Sequence, residues 1–279
     1  MKIKKCVILT AGYGTRMLPI TKTVSKEMLP LIDKPGIFYQ VKEAYLSGIK
    51  EIIFVVSKNN IKLLKSFFSY NYELMEEIKN SKEKKHLLDE VNEIIKNIKF
   101  TYVLQKERGT YGALWSARKY LKNEAFALMY GDDLIINKVP ALKQLIDEYE
   151  KTNDIIIGAT TLKDEDLPKF GMIKYKENNI LDTICYLEEK GRSNDVIQGR
   201  FILTPEVLNL KNQLVYHGGE LQLPTALLLL DRNKRIVLYE GTYFNLGNKL
   251  EYVKAIIHEV FQNEDMKDEL KKFINELEK

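Results

Sequence analysis

The segment "VILTAGYGTRMLPITKTVSKEMLP", positions 7–30, gathers glycines and cations in a pattern suited to holding phosphate. Gly12 and Gly14 follow directly on the apolar run Val7-Ile8-Leu9, where a backbone free of side chains lets a ligand come close. Successive free N–H groups in such a turn make an anion-binding nest. Arg16 comes next, and Lys26 ten residues later, with Lys22 between them. A guanidinium makes forked contacts to phosphate oxygens, whereas an ammonium acts as a mobile point charge. Two cations at this spacing can hold different phosphates of one triphosphate, or one phosphate from each of two substrates. Met17 occupies the third glycine position of the dinucleotide fingerprint, and no Gly-Lys-Ser/Thr closes a Walker A loop. The plain alternative is a glycine-rich β-to-α turn carrying solvent-exposed cations.

The second group is "YGDDL", where Asp132 and Asp133 end the apolar run 125–130. Adjacent carboxylates at a strand end suit a hard cation, and Mg²⁺ commonly takes one or two carboxylates plus phosphate oxygens and water. A turn or helix-capping aspartate is the alternative. A third segment, "GTYGALWSARKYL", opens a helix with glycines and could receive a flat base edge, or simply pack helix on sheet. His86, His217 and His258 have no zinc-ligand spacing with each other or with Cys6 and Cys185. No Gly-x-Ser-x-Gly elbow is present, which favours a reaction without an enzyme nucleophile.

These groups need a scaffold that brings strand ends together. Apolar, β-branched runs at 5–10, 51–56, 99–104, 125–130 and 154–160 read as strands of a parallel sheet buried on both faces. Between the first two, Ile37, Val41 and Ala44 share a helical face, with Pro35 at its start and Gly48 at its stop. Leu142, Leu145, Ile146 and Tyr149 repeat that logic. The alternation predicts an α/β fold with a doubly wound, mostly parallel, Rossmann-like sheet and ligands outside the carboxyl ends of its strands. After position 160 a hairpin turning at Glu177-Asn178-Asn179 starts a small β lobe, and two helices close the chain. A single domain is expected, made of an α/β part over 1–160, a part over 161–245 that holds the small β lobe, and C-terminal helices over 246–279.

Bulk properties narrow the class. The chain has 279 residues, 45% apolar and 29% charged, with a net charge of +4, and its lysines are dispersed among glutamates rather than massed for nucleic acid. "KNSKEKKHLLDEVNEIIKN" accordingly reads as a helix with a solvated face. Two cysteines far apart give no disulfide framework, and the first apolar run is too short for an export signal, so a cytoplasmic protein without membrane association is expected. Apolar residues on the C-terminal helices point to a homo-oligomer, a dimer or tetramer, although the same periodicity suits packing on the domain.

The opening segment resembles, almost position by position, the G-x-G-T-R-[MF]-L-P-x-T-K-x-x-P-K-E-M-L-P pattern of the sugar-phosphate nucleotidyltransferases. "QKERGTYGALWSAR", "YGDDL", "KFGMI", "LEEKG", "GRFILTPEV", "GGELQL" and "LGNKLEY" extend the likeness over the chain. The helical insertion after position 66 is similar to that of the bacterial UTP–glucose-1-phosphate uridylyltransferase branch. The resemblance implies UTP and glucose 1-phosphate as substrates, UDP-glucose and pyrophosphate as products, and Mg²⁺ as cofactor. It implies that Ala11, Gly12, Gly14, Thr15, Glu27, Gln105 and Gly109 bind the nucleotide, while Arg16 and Lys26 neutralise the triphosphate. It gives Gly171, Glu189 and Lys190 to the sugar phosphate and Asp132 with Asn245 to the metal, which makes 1–160 the nucleotide-binding part and 161–245 the sugar-binding part. Asn245 stands where relatives carry an aspartate; Ser25, Thr225 and the loop Gly109-Thr110-Tyr111-Gly112-Ala113 also depart from the pattern. Another nucleotide or hexose phosphate, or a non-catalytic regulatory paralogue, stays open at this point.

Overall fold

The computed structural model describes residues 2–121, 123–168 and 170–277. The chain begins with β1 (Lys5–Leu9), the short strands β2 (Pro30–Leu31) and β3 (Lys34–Pro35), helix α1 (Gly36–Leu46) and β4 (Glu51–Val56). Three helices follow, α2 (Ile61–Phe67), α3 (Tyr72–Glu77) and α4 (Lys82–Asn97), then β5 (Lys99–Leu104), α5 (Thr110–Ser116), β6 (Phe126–Tyr130) and β7 (Asp133–Ile136). Next come α6 (Ala141–Thr152), β8 (Ile155–Thr161), the hairpin β9 (Phe170–Tyr175) and β10 (Leu181–Tyr186), and β11 (Asp195–Leu203). The chain closes with α7 (Leu223–Leu229), β12 (Lys234–Leu238), β13 (Thr242–Asn245), α8 (Lys249–Gln262) and α9 (Glu264–Leu277).

The strands form because nearly every side chain in them is apolar and each successive one points to the opposite face. Val7, Ile53 and Leu128 enter one core with α5 and α7; Cys6, Ile8, Ile52, Phe54, Ala127 and Met129 enter the other with α1 and α6. Burying such a side chain contributes about 1.5–3 kcal/mol, so both faces must be covered. Helix α1 starts after Pro35, buries Ile37, Val41 and Ala44, and gives way at Gly48, whose φ of 90° favours glycine. Helix α4 buries only Val91 and Ile94 and leaves its charged residues in water, as its sequence predicts.

Strands β6, β1, β4 and β5 are parallel neighbours in that order. The chain runs outward from β1 through β4 to β5 and then returns to the other side of β1 as β6. This reversal separates the loops after β1 and β6 and leaves a crevice at their carboxyl ends. Two sequence expectations change in detail. The run 154–160 does form a strand, but β8 lies antiparallel to β11 and is parallel only to β12. The run 99–104 is the edge strand beside β4 and is only partly buried on either face.

Beyond β6, strand β11 inserts antiparallel to β6 and carries the β9–β10 hairpin at its far end, so the later part of the chain is built into the same sheet. The hairpin turns where expected, with Asn178 and Asn179 both at positive φ. A separate ribbon pairs β7 antiparallel with β13, setting Asn245 opposite Asp133. Helices α8 and α9 leave Leu250, Val253, Phe273 and Leu277 exposed. Among the described residues no helix is long and apolar enough to cross a membrane, and Cys6 and Cys185 are free and buried.

Candidate active site

The glycine loop is anchored at both ends. Thr10 donates its N–H and its hydroxyl to the Val55 carbonyl, each at 2.9 Å, and the Thr10 carbonyl accepts from Asn60 Nδ2 at 2.6 Å. Gly14 sits at φ 62°, in the left-handed region, and starts a short turn whose Met17 N–H donates to the Gly14 carbonyl at 2.8 Å. Met17 is buried, so the residue that breaks the dinucleotide pattern plugs the turn into the core.

Lys26 returns beneath this loop. Its Nζ lies 3.7 Å from where a Cβ on Gly12 would be, and it donates to Asp132 Oδ2 at 2.5 Å, 4.0 Å from Glu27 Oε1. Burial of Lys26 pulls its pKa down, but the charges of Asp132 and Glu27 outweigh that and raise it. The ammonium therefore stays charged. Glu27 is 1% exposed, and its Oε2 has no hydrogen-bond partner among the described residues. Burial pushes its carboxyl up to about 8, with Asp132 adding and Lys26 opposing.

The two aspartates of the "YGDDL" segment divide their work. Asp133 is buried and turned inward: Oδ2 accepts from the Gly199 N–H at 3.0 Å and Oδ1 from the Tyr243 hydroxyl at 2.8 Å. Burial, then the neighbouring Asp132 charge, raise Asp133 to about 6. The Asp133 carbonyl accepts from Arg200 Nη2 at 2.7 Å. Arg200 is wholly buried and forks onto Glu43, Nε to Oε1 at 2.9 Å and Nη2 to Oε2 at 2.7 Å, while Nη2 also reaches Gln40. Glu43 Oε1 further accepts the Leu142 N–H at the start of α6. This buried network fixes the end of β6, so Asp132 is left facing the crevice.

Asp132 has company there. A Cβ on Gly247 would lie 3.0 Å from each of Asp132 Oδ2, Asn245 Oδ1 and Arg16 Nη2. The Leu246 N–H donates to the Asp132 carbonyl at 2.8 Å, which ties β13 to the end of β6. No group of three or more His, Cys, Asp or Glu among the described residues could by itself cage a metal. One carboxylate and one amide oxygen at a shared corner nevertheless suit Mg²⁺, which keeps several waters and draws the rest of its ligands from substrate phosphates.

A cavity of about 660 Å³ opens over this region. Its wall includes Ala11, Gly12, Lys26, Glu27, Gln105, Gly109 and Asp132, residues scattered over more than a hundred positions of sequence. Ser57, Lys58 and Asn59 also line it, outside every segment that the sequence marked, together with Tyr130, Lys106 to Arg108, Thr110 and Glu220, which lie within marked segments. Gly109 has φ 89°, and a Cβ there would fall 2.3 Å from the Leu221 carbonyl. That carbonyl accepts from Tyr111 N–H, and Leu221 N–H donates to the Arg108 carbonyl, so the loop is stitched to the segment before α7. Thr110 Oγ1 accepts from the Leu223 N–H at 2.9 Å and completes the seam.

The remaining expected residues lie outside this wall. Gly14, Thr15 and Arg16 form its outer turn, with Arg16 and Thr15 exposed. Gly171, at φ 106° with open space beside it, belongs to β9, and Glu189 and Lys190 sit on the exposed loop from β10 to β11. Glu189 Oε1 accepts from the Tyr186 N–H at 2.9 Å. Arg200 and Tyr243 were missed as supports of the site. An arginine inside the otherwise apolar run "VIQGRFIL" was the available signal, since a buried charge demands a partner.

Fold and site together define an α/β protein with a glycine loop, an ammonium and a carboxylate gathered at the switch of its sheet. The family model for nucleotidyl transferases matches residues 5–224, and the chain belongs to that family. It is 36% identical to the UTP–glucose-1-phosphate uridylyltransferase of Bacillus subtilis, over 99% of this chain and 97% of that protein. It is 37% identical to UTP–glucose-1-phosphate uridylyltransferase 1 of Staphylococcus saprophyticus, over the full length of both. Among solved structures, a UDP-glucose pyrophosphorylase complexed with UDP-glucose superposes with a TM-score of 0.84 at 30% identity, covering 94% of this chain and 100% of that one. A UTP-bound enzyme of the same kind from Acinetobacter baumannii gives 0.88 at 27% identity, covering 99% of both chains.

Proposed function

We propose that the protein transfers a uridylyl group from UTP to glucose 1-phosphate, giving UDP-glucose and pyrophosphate. The observation that carries this reading is the cavity itself: a glycine loop, a half-buried ammonium and a carboxylate share one wall with the Gln105–Gly109 segment. The full-length likeness to uridylyltransferases supports the choice of nucleotide and sugar.

In this reading the base lies against Ala11, Gly12, Gln105 and Gly109, with Glu27 close by. Gly14 and Thr15 turn backbone N–H groups toward the phosphates, and Arg16 and Lys26 neutralise them. Glucose 1-phosphate enters along Gly171, Glu189 and Lys190, whose ammonium meets its phosphate. An oxygen of that phosphate attacks the α-phosphorus of UTP in line; the new P–O bond forms as the bond to the β-phosphate oxygen breaks, and pyrophosphate carries away the electron pair. Both reactants are anions, so the residues contribute position and charge rather than a covalent intermediate. Asp132 and Asn245 would hold Mg²⁺, which when bound offsets charge on the reacting oxygens. Free, buried Cys6 and Cys185 agree with a reducing, cytoplasmic setting.

Pyrophosphate release tests the reading. With Mg²⁺, UTP and glucose 1-phosphate, turnover is expected; equal or faster turnover with dTTP or another hexose phosphate would reassign the substrates. Binding of UDP-glucose with no turnover for any pair would make the protein a non-catalytic paralogue.

A further inference from the structure

Asn245 presents a problem that an aspartate would not. A carboxylate has an oxygen at either end, but an amide has one acceptor end and one donor end. Only the acceptor end can face a cation. The surroundings of Asn245 decide which end that is. The Gly247 N–H, which can only donate, lies 2.9 Å from Oδ1, so that atom must be the oxygen. At the other end Nδ2 donates to the Tyr243 hydroxyl at 3.2 Å. That hydroxyl has its own proton engaged, because it donates to Asp133 Oδ1 at 2.8 Å. Its lone pair is therefore free for the amide, and Asp133 is itself held from behind by the Gly199 N–H. The result is a chain of donors running one way, from Asn245 through Tyr243 to Asp133. It leaves Oδ1 with a second lone pair at the corner shared by Asp132 Oδ2 and Arg16 Nη2.

We propose that Tyr243, anchored on Asp133, is a positioning residue that locks the Asn245 amide with its oxygen toward the Asp132 corner, so that an amide there can ligate a divalent cation. The inference rests on the proposed metal role of Asp132 and Asn245.

A double-mutant cycle on cation binding tests it, with Mn²⁺ as probe, UTP present, and free Mn²⁺ read from its electron paramagnetic resonance signal. Tyr243→Phe is expected to weaken Mn²⁺ binding about tenfold, as loss of a partner that orients a ligand does elsewhere. In an Asn245→Asp background the same change should cost less than about twofold, because either carboxylate oxygen serves. Lost packing or a stranded Asp133 would act alike in both backgrounds and cancel in the cycle. Equal losses in both, or none in the first, would overturn the lock. Asn245→Leu separates the two layers: unchanged Mn²⁺ binding there would take Asn245 out of the metal site, and the lock with it, whereas weakened binding with Tyr243→Phe silent would remove only the lock. Should Tyr243→Phe not fold, p-aminophenylalanine at 243 replaces it in the cycle. It still donates to Asp133 but is a poor acceptor for Nδ2, so the same tenfold and twofold losses are expected.

Discussion

At the scale of single residues, the site depends on charges kept in unlike states. Lys26 is an ammonium bonded to Asp132, while Glu27 beside it is pushed up to about 8 by burial. Removing Lys26 takes fixed positive charge from the place where negative charge builds, so Lys26→Ala should lower kcat about 10²–10³-fold, an effect of the size seen for single electrostatic donors. Steady-state kinetics beside a melting curve checks this; a fall in Tm with kcat intact would make the lysine structural. Glu27 carries a pH signature. Its folded pKa lies above the ordinary 4.5, so its stabilising contribution is complete below that value and is lost as pH rises through about 8. Glu27→Gln, which cannot ionise, should therefore gain roughly 5 °C in Tm relative to the parent between pH 5 and pH 9. A Tm difference independent of pH would show that the carboxyl ionises freely. The glycines, Lys26 and Asp132 were legible in the sequence because residue type and strand-end placement announce phosphate chemistry. Tyr243 and Arg200 were not, because their partners come from remote parts of the chain and meet them only in the fold.

Elements set how closely these residues meet. The strands at 51–56 and 99–104 fall where periodicity placed them, and two helices close the chain within 246–279, since burial on a sheet or a helix face leaves a direct imprint on the sequence. Strand direction leaves none: β8 is as apolar as the parallel strands, yet it runs against β11 on one side and along β12 on the other. The loop before α5 shows why its glycine matters. Gly48 and Gly109 have nearly the same φ, 90° and 89°, but a Cβ on Gly48 meets open space while one on Gly109 strikes the Leu221 carbonyl. Gly48→Ala should cost only the left-handed strain of about 1–2 kcal/mol and leave KM for UTP unchanged. Gly109→Ala should break the seam to Leu221 and raise KM for UTP at least tenfold. Equal kinetic effects from the two would mean that the loop does not shape the nucleotide site.

At the scale of the whole molecule, the sheet reversal places the glycine loop and Asp132 side by side, and the Arg200–Glu43 pair binds β11, α1 and the start of α6 behind them. Breaking a buried pair of this kind costs about 3–5 kcal/mol, because the partner left behind is a charge out of reach of water. Two mutually repelling anions are expected to meet over the ends of β1 and β6. Crystals grown with UTP test this most directly. The triphosphate should lie along the Gly12–Arg16 turn, with Lys26 drawn from Asp132 onto phosphate and the base against Gly109. A triphosphate bound elsewhere, with the Lys26–Asp132 bond undisturbed, would mean that these strand ends do not hold the nucleotide.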